Sequence, residues 1–247
     1  MQSYGLSLRV AVAGLVLGFA PLASADETTL AAGAGFRRPL ADIATAYQAQ
    51  SGHKILQTYG HLGQVIAQAR ESGQISILCG DAVVLQSAKG IAFARMARLG
   101  LGKLVVAYRK GVTLTKPEDL ATASFARLGI PDQANAIYGK AGRQFLERAQ
   151  LDKAIDPKLI AVATVPQVTS YVANGEIDAG FVNATDAIGA GDTIGGFIEV
   201  PDKFYDPVEV SCGVLAAAPA ASTTATQGFI AFLETEPARK ILQRYGL

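Results

Sequence analysis

From Thr28 onward the chain switches repeatedly between short apolar runs and stretches with helical spacing. Thr28 to Ala34 is apolar and β-prone enough for a strand, and Gly33 and Gly35 break it where a helix begins. Pro39 suits the first turn of that helix, where its missing N–H costs nothing, and Leu40, Ile43, Ala44 and Tyr47 recur on one face. Lys54 to Thr58 reads as a second strand, Gly60 to Ala69 as the next helix, and Gln74 to Cys79 as a third strand ending at Gly80-Asp81. Leu104 to Tyr108 is another strand, stopped by Lys110-Gly111.

The second half repeats the alternation. Arg127 to Ile130, Leu159 to Ala163, Ile177 to Val182 and Glu209 to Ala217 read as strands, while Asn135 to Ala149 and Val165 to Ala173 read as helices. A last helix is expected from Thr224 to Arg244. Strands alternating with helices predict an α/β fold with parallel sheets covered on both faces. No sequence repeat relates the halves, and the one low-complexity tract is the small-residue stretch Ala216 to Ala225.

The first 25 residues do not fit this pattern. They carry one basic residue, Arg9, then the apolar run Val10 to Ala20, and end in Ala23-Ser24-Ala25 before Asp26. This is the make-up of a cleaved secretory signal peptide, too short in its apolar run to span a bilayer that needs about 20 residues. No Cys follows the cleavage site, so lipid attachment is not indicated. Removing residues 1–25 from 247 leaves 222 residues, enough for two modest domains. The segment removes one of 22 basic residues and none of 21 acidic ones, so the exported chain has no formal net charge. Such a chain exerts no global pull on nucleic acid or anionic membranes, and recognition is expected in a pocket. There is no Trp, which argues against a sugar cleft of stacked indoles. Cys79 and Cys212 are the two cysteines, and an even count in an exported chain admits one disulfide.

Motifs for catalysis are missing. HExxH, CxxC, GxSxG and the phosphate-binding P-loop do not occur, and the lone Gly33-Ala34-Gly35 is weak support for dinucleotide binding. A Cys79 nucleophile with His61 as base would lack a recognisable nucleophile turn. The chain is read as a binding protein, not an enzyme, with no cofactor.

Several blocks resemble the periplasmic molybdate-binding proteins. Ala32-Gly33-Ala34-Gly35-Phe36 with Asp42-Ile43-Ala44 is similar to their opening strand-to-helix turn. The likeness continues through Gly129-Ile130-Pro131, Ile137-Tyr138-Gly139-Lys140 and the block Val165 to Ala187, with Asn174-Gly175-Glu176, Asp178-Ala179-Gly180 and Ala184-Thr185-Asp186-Ala187. It ends with Pro237-Ala238 and Arg244-Tyr245-Gly246-Leu247, so it covers nearly all of the exported chain. The resemblance implies a two-lobed type II periplasmic-binding architecture, with two crossover strands and a central cleft. Lobe one would hold residues 26–104 plus 205–247, and lobe two residues 105–204. It further implies a monomer that takes a small molecule or oxyanion to the membrane permease of an ABC importer, with no nucleic-acid partner.

Carried over position by position, the family's ligand set falls on Gly35, His61, Leu62, Ala136, Val165 and Asn183. The family's two ligand serines are replaced by Gly35 and Leu62, its tyrosine by Asn183, and its two backbone donors fall on Ala136 and Val165. The oxyanion would then depend on backbone amides, with Thr58, Gln64 or Thr164 as possible hydroxyl or amide substitutes. Alternatives are another small solute, a scaffold whose cleft is plugged by Leu62 and Phe36, or a soft-metal site from His61, Cys79, Asp81 and Cys212. The family's returning strand would carry Cys212 beside the third strand, whose end is Cys79, so the resemblance favours a Cys79–Cys212 disulfide.

Overall fold

The computed structural model describes residues 28–218, 220–221 and 223–247. The expected signal peptide, residues 1–25, therefore lies outside the described residues. The order of elements follows the predicted alternation. Strand β1 (Thr28–Gly33) leads to helix α1 (Arg37–Ser51), then β2 (Ile55–Gly60), α2 (Leu62–Ser72), β3 (Ile77–Asp81) and α3 (Ala82–Ser87). Two strands follow almost without a break, β4 (Phe93–Gly102) and β5 (Leu104–Tyr108). After them come β6 (Leu128–Pro131), α4 (Ile137–Arg148), the single turn α5 (Asp152–Ile155), β7 (Leu159–Val162), α6 (Val165–Ala173) and β8 (Ala179–Asn183). The chain ends with α7 (Ala184–Ala190), β9 (Gly196–Glu199), β10 (Val208–Leu215), α8 (Thr224–Phe232) and α9 (Glu236–Arg244).

These strands form two five-stranded sheets, in the orders β2-β1-β3-β10-β4 and β7-β6-β8-β5-β9. The expectation of purely parallel sheets is corrected here. β10 runs antiparallel to β3 and β4, and β5 runs antiparallel to β8 and β9. The reason is connectivity: the chain leaves sheet one along β4, enters sheet two along β5 with only Lys103 between, and returns from β9 to β10. A strand that continues directly from its predecessor keeps that direction, whereas a parallel neighbour needs a helical crossover. Leu30, Ile77 and Val210 in sheet one, and Val106, Ile130 and Phe181 in sheet two, are fully buried.

The short helices α3, α5 and α7 have no counterpart in the sequence reading, and β4, β9 and the last helix also depart from it. β4 is not among the strands read from the sequence, because Arg95, Arg98 and Gly100 interrupt its apolar residues. As an edge strand it turns those arginines outward, where they pair with Glu234 and Glu209. β9 is likewise an unexpected edge strand. The single last helix is two, parted at Leu233–Thr235, because Pro237 cannot continue a helix but suits the first turn of a new one.

Cys79 and Cys212 face each other directly across β3 and β10, with Cα atoms 4.0 Å apart, and are joined in a disulfide. Both are fully buried in the middle of sheet one.

Candidate functional site

The two sheets meet at a cleft lined by Gly33 to Phe36, Gly60 to Leu62, Ala136 to Tyr138, and Thr164 with Val165. Each segment is a strand-to-helix turn. β1 ends at Gly33 and β2 at Gly60, while Ala136 and Thr164 immediately precede α4 and α6. A helix start leaves its first amides without intrahelical acceptors and carries the positive end of the helix dipole. Here those amides are free: among the described residues, the N–H groups of Leu62, Ile137, Tyr138, Gly139 and Val165 have no acceptor. Helix starts from both sheets thus aim unpaired donors at one space, an arrangement that favours an anion without any cationic side chain.

The space itself is about 20 Å³, room for roughly one water molecule. It is small because the two halves touch. Asn183, fully buried at the end of β8, donates from Nδ2 to the Gly35 carbonyl 3.0 Å away. The Gly63 amide donates to the Asn135 carbonyl at 3.3 Å. Arg38 on α1 reaches Asp186 on α7 at 3.5 Å, and Thr169 on α6 donates its hydroxyl proton to the same buried carboxylate. Anything larger than a water molecule fits only when these contacts part, as in hinge motion between lobes.

Of the residues expected at the site, Gly35, His61, Leu62, Ala136 and Val165 border the cleft, and Asn183 lies directly against Gly35. Their parts differ. His61 is the N-cap of α2, its Nδ1 accepting from the Gln64 amide at 3.0 Å, so its remaining proton sits on Nε2. Leu62 borders the cleft, but its side chain packs into the sheet-one core, against the space that a Cβ on Gly80 would occupy. Thr164 also borders the cleft, whereas Gln64 folds back over Gly60 and Thr58 is not among the lining residues.

The metal alternative is corrected. Cys79 and Cys212 are consumed by the disulfide, so His61, Cys79, Asp81 and Cys212 hold no thiolate pair. Among the described residues no group of three or more His, Cys, Asp or Glu side chains could hold a metal ion. Asp81 instead caps α3, accepting from the Val84 amide, and burial raises its carboxyl above the usual range against the opposing pull of that bond.

Sequence reasoning missed three contributors. Tyr138 was noted as part of a motif, yet its ring forms a cleft wall, edge-on to Phe36 at 6.1 Å, and burial pushes its phenol far above the usual range. Arg38 and Asp186 clasp the halves; the signal was their position, one straight after the glycine turn and the other inside Ala184-Thr185-Asp186-Ala187. The loop before α4 is tied by Asp132, which accepts from the amides of Ala134 and Asn135.

Two α/β lobes crossed by two strands, with helix starts converging between them, define a substrate-binding protein of the periplasmic type. Residues 28–247 match the family described as bacterial extracellular solute-binding protein, and the chain belongs to that family. It is 27 % identical over 251 residues to the molybdate-binding protein ModA of Azotobacter vinelandii, covering 99 % of this chain and 98 % of that one. It is 25 % identical over 236 residues to the ModA of Rhodobacter capsulatus, covering 94 % and 92 %. The solved Azotobacter vinelandii periplasmic molybdate-binding protein superposes with a TM-score of 0.79 at 23 % identity, over 89 % of this chain and 97 % of that one. This is a non-enzymatic protein of the ABC-importer type, which binds a small ligand outside the cytoplasm and delivers it to a membrane permease. Among the described residues no helix is long and apolar enough to cross a membrane.

Proposed function

We propose that the cleft takes a small oxyanion, held mainly by backbone amides, for delivery to the permease. The observation that carries this reading is the convergence of unpaired amides from α2, α4 and α6 on one space. Gly35, His61, Leu62, Ala136 and Val165 line this cleft, with Leu62 and Val165 offering main-chain donors, and Asn183 stands directly against Gly35. The names of the two relatives support an oxyanion, since both are called molybdate-binding. Molybdate itself is a poor candidate. Each hydrogen bond to a charged acceptor is worth about 1.5 to 3 kcal/mol, and the hydroxyls of the molybdate-binding pattern are absent at Gly35, Leu62 and Asn183. Losing two such bonds weakens binding on the order of a thousandfold.

The remaining organisation follows from the same reading. Sheet membership supports lobes of residues 26–104 plus 205–247 and of residues 105–204. The exported form begins at Asp26, works as a monomer in the periplasm and has no nucleic-acid partner, as its balanced charge suggests. Replacing Ala136 or Val165 by Trp fills the cleft, and replacing the exposed Lys116 by Ala leaves it untouched. An oxyanion-dependent rise in melting temperature is expected to vanish in A136W and V165W and to persist in K116A. Equal behaviour of all three variants would refute the assignment.

A further inference from the structure

Arg38, in the first turn of α1, reaches from one half of the molecule to Asp186 in α7 on the other, with Nε 3.5 Å from Oδ1. The Asp186 side chain is 4 % exposed, and Arg38 Nε is itself buried with no hydrogen-bond partner, so this carboxylate is its counter-charge. The second carboxylate oxygen accepts the Thr169 hydroxyl, and Thr169 Oγ1 lies 3.3 Å from the Val165 carbonyl, one helical turn earlier. Arg38, Asp186 and Thr169 do not line the cleft, yet the clasp runs between segments that do: Arg38 follows the turn Gly33 to Phe36, and Thr169 belongs to the helix that starts at Val165. It therefore ties one cleft wall to the other. Among the described residues the other ion pairs between the halves, Lys103–Asp202 and Arg148–Asp206, sit at the crossover segments, which stay joined however the lobes move. Gly189 shows independently that the clasp is built in. Glycine is a poor helix former, but a Cβ at this position of α7 would stand 2.0 Å from Arg38 Cδ and 2.7 Å from its Nε. The glycine opens the path by which the arginine stem crosses α7 to Asp186.

We propose that Arg38 is a positioning residue for ligand capture: by gripping Asp186 as the lobes close, it holds the cleft walls together and sets how slowly the ligand leaves, without touching the ligand. A contact made only in the closed arrangement shifts the open–closed balance by its own free energy, and a ligand held only by that arrangement gains apparent affinity by the same factor. Such a contact is broken on the way out, so its effect falls mainly on the dissociation rate. This rests on the reading above that the ligand sits between the helix starts, and not on which anion it is.

The test compares the wild-type protein with R38Q, D186N, R38Q/D186N and G189A, and with K116A as a control away from the clasp. Small-angle X-ray scattering without added solute reads the lobe arrangement: the wild type and K116A should share one radius of gyration, and the four clasp variants should show a larger one. Phosphate, sulfate and molybdate are then titrated separately by calorimetry, and dissociation is followed by stopped-flow tyrosine fluorescence. For each probe that the wild type binds, R38Q, D186N and G189A should weaken binding about threefold to thirtyfold, through faster dissociation. The two charges act as one unit, so R38Q/D186N should bind no more weakly than the weaker single variant. G189A keeps both charges and improves the helix, so it gives the answer even where loss of a buried charge unfolds the other variants. An unchanged radius of gyration in the clasp variants overturns the inference, as do wild-type dissociation rates or losses that add in the double variant. If the wild type binds none of the three probes, the oxyanion reading fails, and scattering alone decides the clasp.

Discussion

Replacing both cysteines by alanine, C79A/C212A, removes a bridge whose sequence separation is 133 residues. The closed loop contains β4 to β9, so it includes the whole of sheet two and both crossings between the sheets. In the chain-entropy account, a loop of that length withdraws about 5 kcal/mol of freedom from the unfolded chain. For a domain of this size each kcal/mol moves the melting temperature by roughly 2 to 4 °C, so the double variant should melt roughly 10 to 20 °C lower. Neither cysteine lines the cleft, and the bridge joins two strands of one sheet, so ligand affinity should be unchanged where both forms are folded. Thermal unfolding followed by circular dichroism reads the first quantity. Thiol titration of the denatured, unreduced wild-type protein reads the bridge itself, with none expected to react. Two reactive thiols, or a melting temperature lowered by less than about 3 °C, would refute the reasoning.

His61 caps α2 through Nδ1, so H61A should cost about 1 kcal/mol of stability whereas H61N, a good cap, should cost little; chemical denaturation of both variants reads the difference. Asp132 lies below its ordinary carboxylate range because Asn135 and Ala134 donate backbone amides to it. A depressed folded value stabilises above the unfolded value, near 3.9, and that contribution disappears as pH falls through the lower folded value. Stability, measured by chemical denaturation, should therefore not change through Asp132 from pH 8 to about 5 and should fall in stronger acid, with D132N lacking that acid-dependent step.

Much of the fold was legible because its signals are local. The glycine turn after β1, the face Leu40-Ile43-Ala44-Tyr47 and the apolar runs of β3, β5 and β8 each report burial through spacing alone. β4 and β9 were not legible, because an edge strand is half in solvent and accommodates Arg95 and Arg98 without an alternating pattern. The antiparallel returns were hidden for a different reason: strand direction depends on which sheet the chain enters next, and no local period records that. At the site, the positions of Gly35, His61, Ala136 and Val165 followed from motif order. The clasp between Arg38 and Asp186 and the hydrogen bond from Asn183 to Gly35 did not, since both arise only when residues about 150 positions apart, such as Gly35 and Asn183 with a separation of 148, meet across the cleft. Leu62 shows the converse, a motif position whose side chain turned into the core.

Native mass spectrometry of the protein released from the periplasm of its own host, without unfolding, tests the central claim most directly. It should show the mass of residues 26–247 carrying a bound oxyanion, and the A136W variant prepared alongside should show the bare chain. A wild-type spectrum carrying a metal ion instead, or an adduct that survives in A136W, would contradict an oxyanion held by the helix starts of the cleft.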